Sequence, residues 1–212
     1  MHKERCSVGL VDVGIGNIQS VGRALDYFQC EFEYCKEPET LQGKSHVILP
    51  GVGAFGAGME ALHKAQMVAP LQKLAADRET YILGICLGMQ LLGGFGEEGG
   101  CDGLGLVDFK TEHLQARAST KIKVPNVGFS EISLFQPSGL FLNIDQGSDV
   151  YFTHSYAVRQ IDAEANTAIS NHGGAFISAF QYKNICGTQF HPEKSQAVGL
   201  KMIKNFIDML QI

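Results

Sequence analysis

Three stretches of this chain carry side chains that could do chemistry together. The first is Tyr81–Leu92, Y-I-L-G-I-C-L-G-M-Q-L-L, where Cys86 stands between a short apolar run and a segment of helical pattern. Strand, sharp turn with a nucleophile, and helix make a nucleophile elbow, here with Cys in place of Ser. Gly84 and Gly88 flank the turn because backbone segments approach closely there only without Cβ atoms. A helix starting at Leu87 aims its positive end at the sulfur and favours thiolate. Gln90, one turn on, shares a face with Cys86 and could hold a substrate beside it. The second stretch is G-T-Q-F-H-P-E-K-S, Gly187–Ser195. His191 ends a strand, and Glu193 follows two residues on, with Pro192 stiffening the link. Cysteine chemistry needs a base to take the thiol proton and a carboxylate to hold the base's other nitrogen. The third is P-G-V-G-A-F-G-A-G, Pro50–Gly58, a glycine loop after a strand whose amide N–H groups could face the same centre.

Each stretch alone has a commoner structural explanation. A free Cys in an apolar run is usually core. A loop His is usually bonded to its neighbours, and glycines after a strand usually make a flexible turn. Their joint occurrence, each at the end of a strand, is what favours catalysis.

The elements that must position these groups follow from periodicity. Cys6–Val13 reads as a strand, followed by a turn at Gly14–Asn17 and a helix with Ile18, Val21, Leu25 and Phe28 on one face. Gln19 stands where a dinucleotide-binding turn needs its third glycine, so that reading is rejected. Glu31–Cys35 and His46–Leu49 are further strands; Gly43-Lys44-Ser45 is a plain turn. Met59–Lys73 is helical in pattern, with a break expected near Pro70. Strands alternating with helices predict an α/β fold with a central, mostly parallel sheet flanked by helices. Ligands then sit beyond the carboxyl ends of the strands, where Cys86 and the glycine loop both fall. After Gly105 the pattern changes to candidate strands at Val107–Leu114, Lys121–Val127, Asp149–Val158, Thr167–Ser170, Ala175–Tyr182 and Ile185–Phe190. Hairpin turns at Asn171–Gly174 and Lys183-Asn184 make the added strands antiparallel. A short helix is expected at Gly139–Ile144. The last helix starts at Ser195 as N-cap, with Val198, Met202, Ile203, Phe206, Ile207 and Leu210 on one face.

A length of 212 residues and 45% apolar composition fit one globular domain spanning 1–212. A net charge of −5 without basic runs argues against nucleic acid. No apolar stretch is long enough to span a bilayer, and the N-terminus reads as a first strand, not a signal peptide. The six cysteines form no C-x-x-C pair and no His pair has zinc spacing. A reduced, cytoplasmic protein without metal or cofactor is expected.

Taken together, G-x-G-N at Gly14–Asn17, L-P-G-V-G-A-F at Leu49–Phe55, G-I-C-L-G-M-Q at Gly84–Gln90, Y-F-x-H-S-Y at Tyr151–Tyr156 and the His191 segment resemble class I, triad-type glutamine amidotransferases. Within them, P-G-V-G-A-F is most similar to the glutaminase subunits of imidazole glycerol phosphate synthases. The resemblance implies Cys86 as nucleophile, His191 as base and then acid, and Glu193 as its orienting partner. It implies an oxyanion hole from backbone at Leu87 and Gly51, Val52 and Gly53, and a glutamine pocket at Gly53, Gln90, His154, Ser155 and Tyr156. It also implies a heterodimer with a (β/α)-barrel cyclase/synthase that receives the ammonia, with Asn17, Phe129 and Lys194 at the interface. This chain has Asn126, Phe129 and Ser130 where the family usually has His, Trp and Asn, and Ala157 after Tyr156. These departures bear on the partner. Ammonia supply for amidating a surface-polysaccharide sugar is the alternative. A non-catalytic assembly subunit fits less well, since the triad is intact, and a cysteine peptidase or chaperone does not account for Pro50–Phe55 and Gln90.

Overall fold

The computed structural model describes residues 6–118, 120–162 and 164–209. The charged Met1–Arg5 segment and Leu210 lie outside the described residues. The strands are β1 Val8–Val11, β2 Phe32–Cys35, β3 His46–Gly51, β4 Tyr81–Cys86, β5 Phe95–Gly96, β6 Cys101–Asp102, β7 Lys110–His113, β8 Asn126–Leu134, β9 Ser148–His154, β10 Tyr156–Val158, β11 Asn166–Asn171, β12 Ala175–Tyr182 and β13 Ile185–Thr188. The helices are α1 Ile18–Tyr27, α2 Phe55–Lys64, α3 Val68–Asp77, α4 Leu87–Leu91 and α5 Gln196–Ile207.

The sheet runs β2-β1-β3-β4-β13 in parallel, then continues through antiparallel β12, β10 and β7. This is the expected α/β class, with antiparallel strands contributed by the second half. Strands of the parallel centre are buried on both faces, so they read as continuous apolar runs. Alternate residues nevertheless go to different cores. Ile48, Leu83 and Ile85 join Val21, Leu25, Ile203 and Phe206 beneath α1 and α5. Val47, Leu49 and Ile82 join Met59, Leu62 and Leu71 beneath α2 and α3.

Several boundaries differ from the periodicity reading. The helical stretch after the glycine loop is two helices, and the break lies at Ala65–Met67, where Gln66 takes φ 57°, before Pro70. Pro70 sits in the first turn of α3, where its missing N–H has no intrahelical partner to lose. The glycine loop is shorter than expected: α2 begins at Phe55, and Gly58 lies inside it against Leu87 and Leu91. The expected strand at Lys121–Val127 is displaced to β8, and Asp149–Val158 splits at Ser155 into β9, paired with β8, and β10, paired with β7 and β12. The segment at Gly139–Phe141 is a single 3₁₀ turn.

The closest backbone approach is where α4 folds back on β3. A Cβ on Gly88 would fall 1.7 Å from the Leu49 carbonyl oxygen, and one on Gly84 would fall 2.6 Å from the Met89 nitrogen. Neither clash is with a side chain that could swing aside. Gly88→Ala is therefore expected to cost about 3 kcal/mol or more of stability, read from the urea midpoint; an unchanged midpoint would contradict this packing.

Candidate active site

Cys86 closes β4 at φ 54° and ψ −109°, a conformation that L-residues rarely adopt. The elbow aims its side chain into a cavity of ≈ 260 Å³ at the carboxyl ends of β3 and β4. A wider cavity of ≈ 610 Å³ lies near Phe95, Asp108, Arg159 and Asp162, but among the described residues no thiol or imidazole lines it. Chemistry, not size, selects the smaller one.

β13 pairs with β4 in parallel, Thr188 opposite Ile85, so the chain leaving β13 passes beside Cys86. His191 lies there, 2% exposed. Its Nδ1 is 2.9 Å from Glu193 Oε1, and both side chains are almost fully buried. A carboxylate only accepts, so Nδ1 carries the hydrogen and Nε2 is left for the thiol. Nε2 has no hydrogen-bond partner among the described residues. Burial alone would lower the His191 pKa. Interaction with Cys86 and with the Glu193 carboxylate outweighs it and raises the pKa to about 9.

The backbone of this segment is clamped. His191 N donates to Tyr151 O at 3.0 Å, and Ser195 Oγ donates to His191 O at 2.7 Å while accepting from Tyr151 N at 2.9 Å. Ser195 was expected to cap α5. It occupies the N-cap position, but its hydroxyl is spent on this clamp and makes no capping bond.

Gln90 Nε2 donates to Tyr156 O at 3.0 Å and to Gln189 Oε1 at 2.9 Å. Both donors point into the protein, leaving the Gln90 carbonyl oxygen as its group for a ligand. His154 Nδ1 donates to Tyr156 O at 2.8 Å, and Asn126 Nδ2 donates to His154 Nε2 at 3.1 Å. Burial, opposed by the Tyr156 carbonyl, lowers the His154 pKa to about 4. His154 is thus a neutral wall of the cavity, with Ser155 and Tyr156 beside it. Gly51 is buried opposite Cys86 in the β3–β4 register, and a Cβ on it would meet Gly88 N at 2.8 Å. Val52 and Gly53 are exposed at the rim; Gly53 has φ 115° with open space around it, so there the glycine serves conformation, not room. Leu87 is the first residue of α4.

Of the three residues expected at an interface, Phe129 and Lys194 come together. The Phe129 ring is 5.5 Å from Tyr151, and Lys194 Nζ is 5.9 Å from the same ring. Asn17 is exposed in the turn after β1; its neighbour Gly16 would, with a Cβ, lie 3.3 Å from the Pro50 carbonyl.

Three residues of the site escaped the sequence reading. Gln189, fully buried, places Nε2 3.8 Å from Cys86 Sγ; its signal was only its place two residues before His191. Asn126 was noted as a departure, without its bond to His154. Glu98 lines the cavity and accepts from Phe55 N at 2.9 Å, at the start of α2. It lies between β5 and β6, a hairpin too short to leave a periodic trace.

A family model described as glutamine amidotransferase class-I matches residues 9–210. The chain is 38% identical over 205 residues to "Imidazole glycerol phosphate synthase subunit HisH" of Moorella thermoacetica, covering 96% of this chain and 95% of that one. It is 37% identical over 201 residues to "Imidazole glycerol phosphate synthase subunit HisH 1" of Campylobacter jejuni, covering 94% and 98%. Among solved structures, that titled "Structure of PurLQS from Thermotoga maritima" superposes with a TM-score of 0.72 at 19% identity, covering 96% of this chain and 98% of that one. At that identity the likeness speaks for the fold.

The two histidines give opposite pH signatures. His191 is raised from 6.5, so its contribution to stability is complete below about pH 6.5 and is lost as pH rises through about 9. His154 is lowered from 6.5, so its contribution is present above about pH 6.5 and is lost as pH falls towards about 4. Imidazole NMR titration should give midpoints near these two values; two midpoints near 6.5 would contradict the geometry.

Proposed function

The chain belongs to the class I glutamine amidotransferase family, and from that premise we propose that it is the glutaminase subunit of an imidazole glycerol phosphate synthase. As a member of this family it is a glutamine amidotransferase, and residues 1–212 are read as one such domain. The observation that carries the mechanism is the interaction of Cys86, which lines the cavity, with the buried His191–Glu193 pair.

Glutamine enters with its side-chain carboxamide against Cys86. Among the described residues Glu98 is the one acidic group lining the cavity, and it receives the α-ammonium group. The Gln90 carbonyl oxygen accepts from the carboxamide –NH₂, and Tyr156 and Ser155 complete the wall. The Cys86 thiolate attacks the amide carbon. Negative charge develops on oxygen and is met by N–H groups at Leu87 and in Gly51–Gly53; one such donor is worth about 3 kcal/mol of barrier. Protonated His191 gives its proton to the departing nitrogen, and ammonia leaves. His191, now neutral, takes a proton from water, which attacks the thioester and releases glutamate and the thiolate. Glu193 keeps the imidazole in the correct tautomer and stabilises the imidazolium form throughout.

The ammonia passes to a (β/α)-barrel cyclase partner in a heterodimer, and the lyase chemistry belongs to that partner. Relatives bearing the synthase-subunit name over 94–96% of this chain support this assignment. Asn17, Phe129 and Lys194 contribute to the docking face, with Val52 and Val127 exposed beside them at 43% and 55%. No helix among the described residues is long and apolar enough to cross a membrane, and all six cysteines are free. The reading carries with it a cytoplasmic location.

Docking acts on the rim: the peptide at Gly53, with open space around it, rotates at low cost, so partner contact can turn an N–H towards the developing oxyanion. Glutamate release should be slow for the isolated chain and rise at least about 100-fold with a barrel cyclase and its acceptor substrate, a shift of about 2.7 kcal/mol or more. Full activity in the isolated chain would overturn the coupling. Activation only by a surface-sugar amidotransferase system would reassign the pathway. Separately, Glu98→Gln should raise KM for glutamine about tenfold or more with kcat little changed, since it binds the part of the substrate that does not react; a fall confined to kcat would remove it from the pocket.

A further inference from the structure

The far edge of the sheet holds a second group of reactive side chains, at the amino ends of the strands and away from Cys86. Cys6 precedes β1, Cys30 precedes β2, and His46 opens β3. β1 and β2 pair in parallel with Val8 opposite Phe32. Carrying that register back two residues sets Cys6 opposite Cys30. Neighbouring strands lie about 4.8 Å apart, within the Cα separation of about 4.4–6.8 Å that a disulfide spans. The two thiols are near enough to shift one another's protonation, and both face one cavity.

The surroundings of the pair are unequal. His46 Nδ1 is 3.2 Å from Cys6 Sγ, and Ser45 Oγ lies 3.9 Å from that sulfur and 2.9 Å from Nδ1. His46 is buried against Tyr81 and Phe206, and its Nε2 has no hydrogen-bond partner among the described residues. The nitrogen that carries the hydrogen is therefore the one facing Cys6. Cys30 instead stands beside Glu31, with its thiol 3.7 Å from the Glu31 carbonyl oxygen. Hydrogen bonding from Cys30 outweighs burial and, with His46, holds the Cys6 thiol down to about 5, while the same contact and burial push Cys30 up. One sulfur is poised as thiolate and its neighbour as thiol. Both are half-buried and line a cavity of ≈ 350 Å³ with Lys204. Cys35 and Cys186, by contrast, are buried.

We propose that Cys6 and Cys30 form a peroxide-sensitive dithiol, a reversible modification site separate from the Cys86 centre. The Cys6 thiolate attacks one oxygen of hydrogen peroxide; the S–O bond forms, the O–O bond breaks, and hydroxide leaves. The Cys30 sulfur then attacks the Cys6 sulfenic acid, its proton going with the departing hydroxyl as water. Two thiols and one peroxide become one disulfide and two waters: the sulfurs lose two electrons, which the peroxide gains. A thiol reductant reverses the change.

The test uses the full chain carrying Cys86→Ala, so that the nucleophile of the elbow does not compete. The reduced protein is treated with hydrogen peroxide near pH 7, alkylated, and mapped by mass spectrometry. The expected result is a cross-link between the segments holding Cys6 and Cys30, with loss of two hydrogen atoms, reversed by dithiothreitol and retained in Cys35→Ser. In Cys30→Ser the cross-link should vanish, and dimedone should label Cys6. A cross-link through Cys35, or full alkylation of Cys6 and Cys30 after peroxide, would overturn the proposal. So would dimedone labelling of Cys30 in Cys6→Ser as fast as that of Cys6 in Cys30→Ser.

Discussion

The backbone of the elbow lies against the end of β3 with no side chain between them, and the candidate site depends on that contact. Gly88 has room for no β-carbon because the Leu49 carbonyl occupies its place, and Gly51 has little because Gly88 and Leu87 do. Two strand ends and the first turn of α4 are thereby locked at backbone distance. The chain can then leave β4 only by a sharp reversal, and Cys86 absorbs it at φ 54°. Strain at one residue, held by packing around it, directs the sulfur into the cavity where a relaxed strand end would not. The contact also places the Gly51–Gly53 backbone within reach of whatever forms on that sulfur.

Electrostatics completes what packing begins. His191 and Glu193 are buried as a pair, and neither is left unpaired at low dielectric. With Cys86 as a third member, imidazolium is favoured despite desolvation, the opposite of what burial does to His154. Two histidines line one neighbourhood. One is held charged by its anionic neighbours, and the other is held neutral by burial, against the pull of the Tyr156 carbonyl. That division separates the proton-carrying group from the wall of the pocket. The clamp through Ser195 and Tyr151 keeps the charged one from drifting, since both its N–H and its carbonyl are tied.

The chemistry-bearing centre was legible because its determinants are local. An apolar run, a Cys between glycines and an H-P-E segment each fit within a few residues, and the parallel core announced itself through buried strands. What stayed hidden depends on long-range register. Glu98 reaches the cavity only because a two-residue hairpin turns back towards α2. Asn126 meets His154 only because β8 and β9 pair with those two residues opposite each other. The division of Asp149–Val158 at Ser155 has no composition signal; it follows from one half joining β8 and the other joining β7 and β12. Ser195 shows the limit most plainly. Its residue type and position promised a helix cap, and a bond to a strand 44 residues earlier took the hydroxyl instead.

The central claim is that the strained sulfur of Cys86, and no other thiol of this chain, becomes covalently attached to the γ-carbonyl of glutamine. Rapid acid quench during turnover in the presence of the cyclase partner, followed by peptide mass spectrometry, measures this directly. A γ-glutamyl thioester confined to the peptide bearing Cys86, accumulating and decaying at the rate of glutamate release, is the predicted result. Glutamate formed with no acylated cysteine, or with the label on another cysteine, would contradict the account.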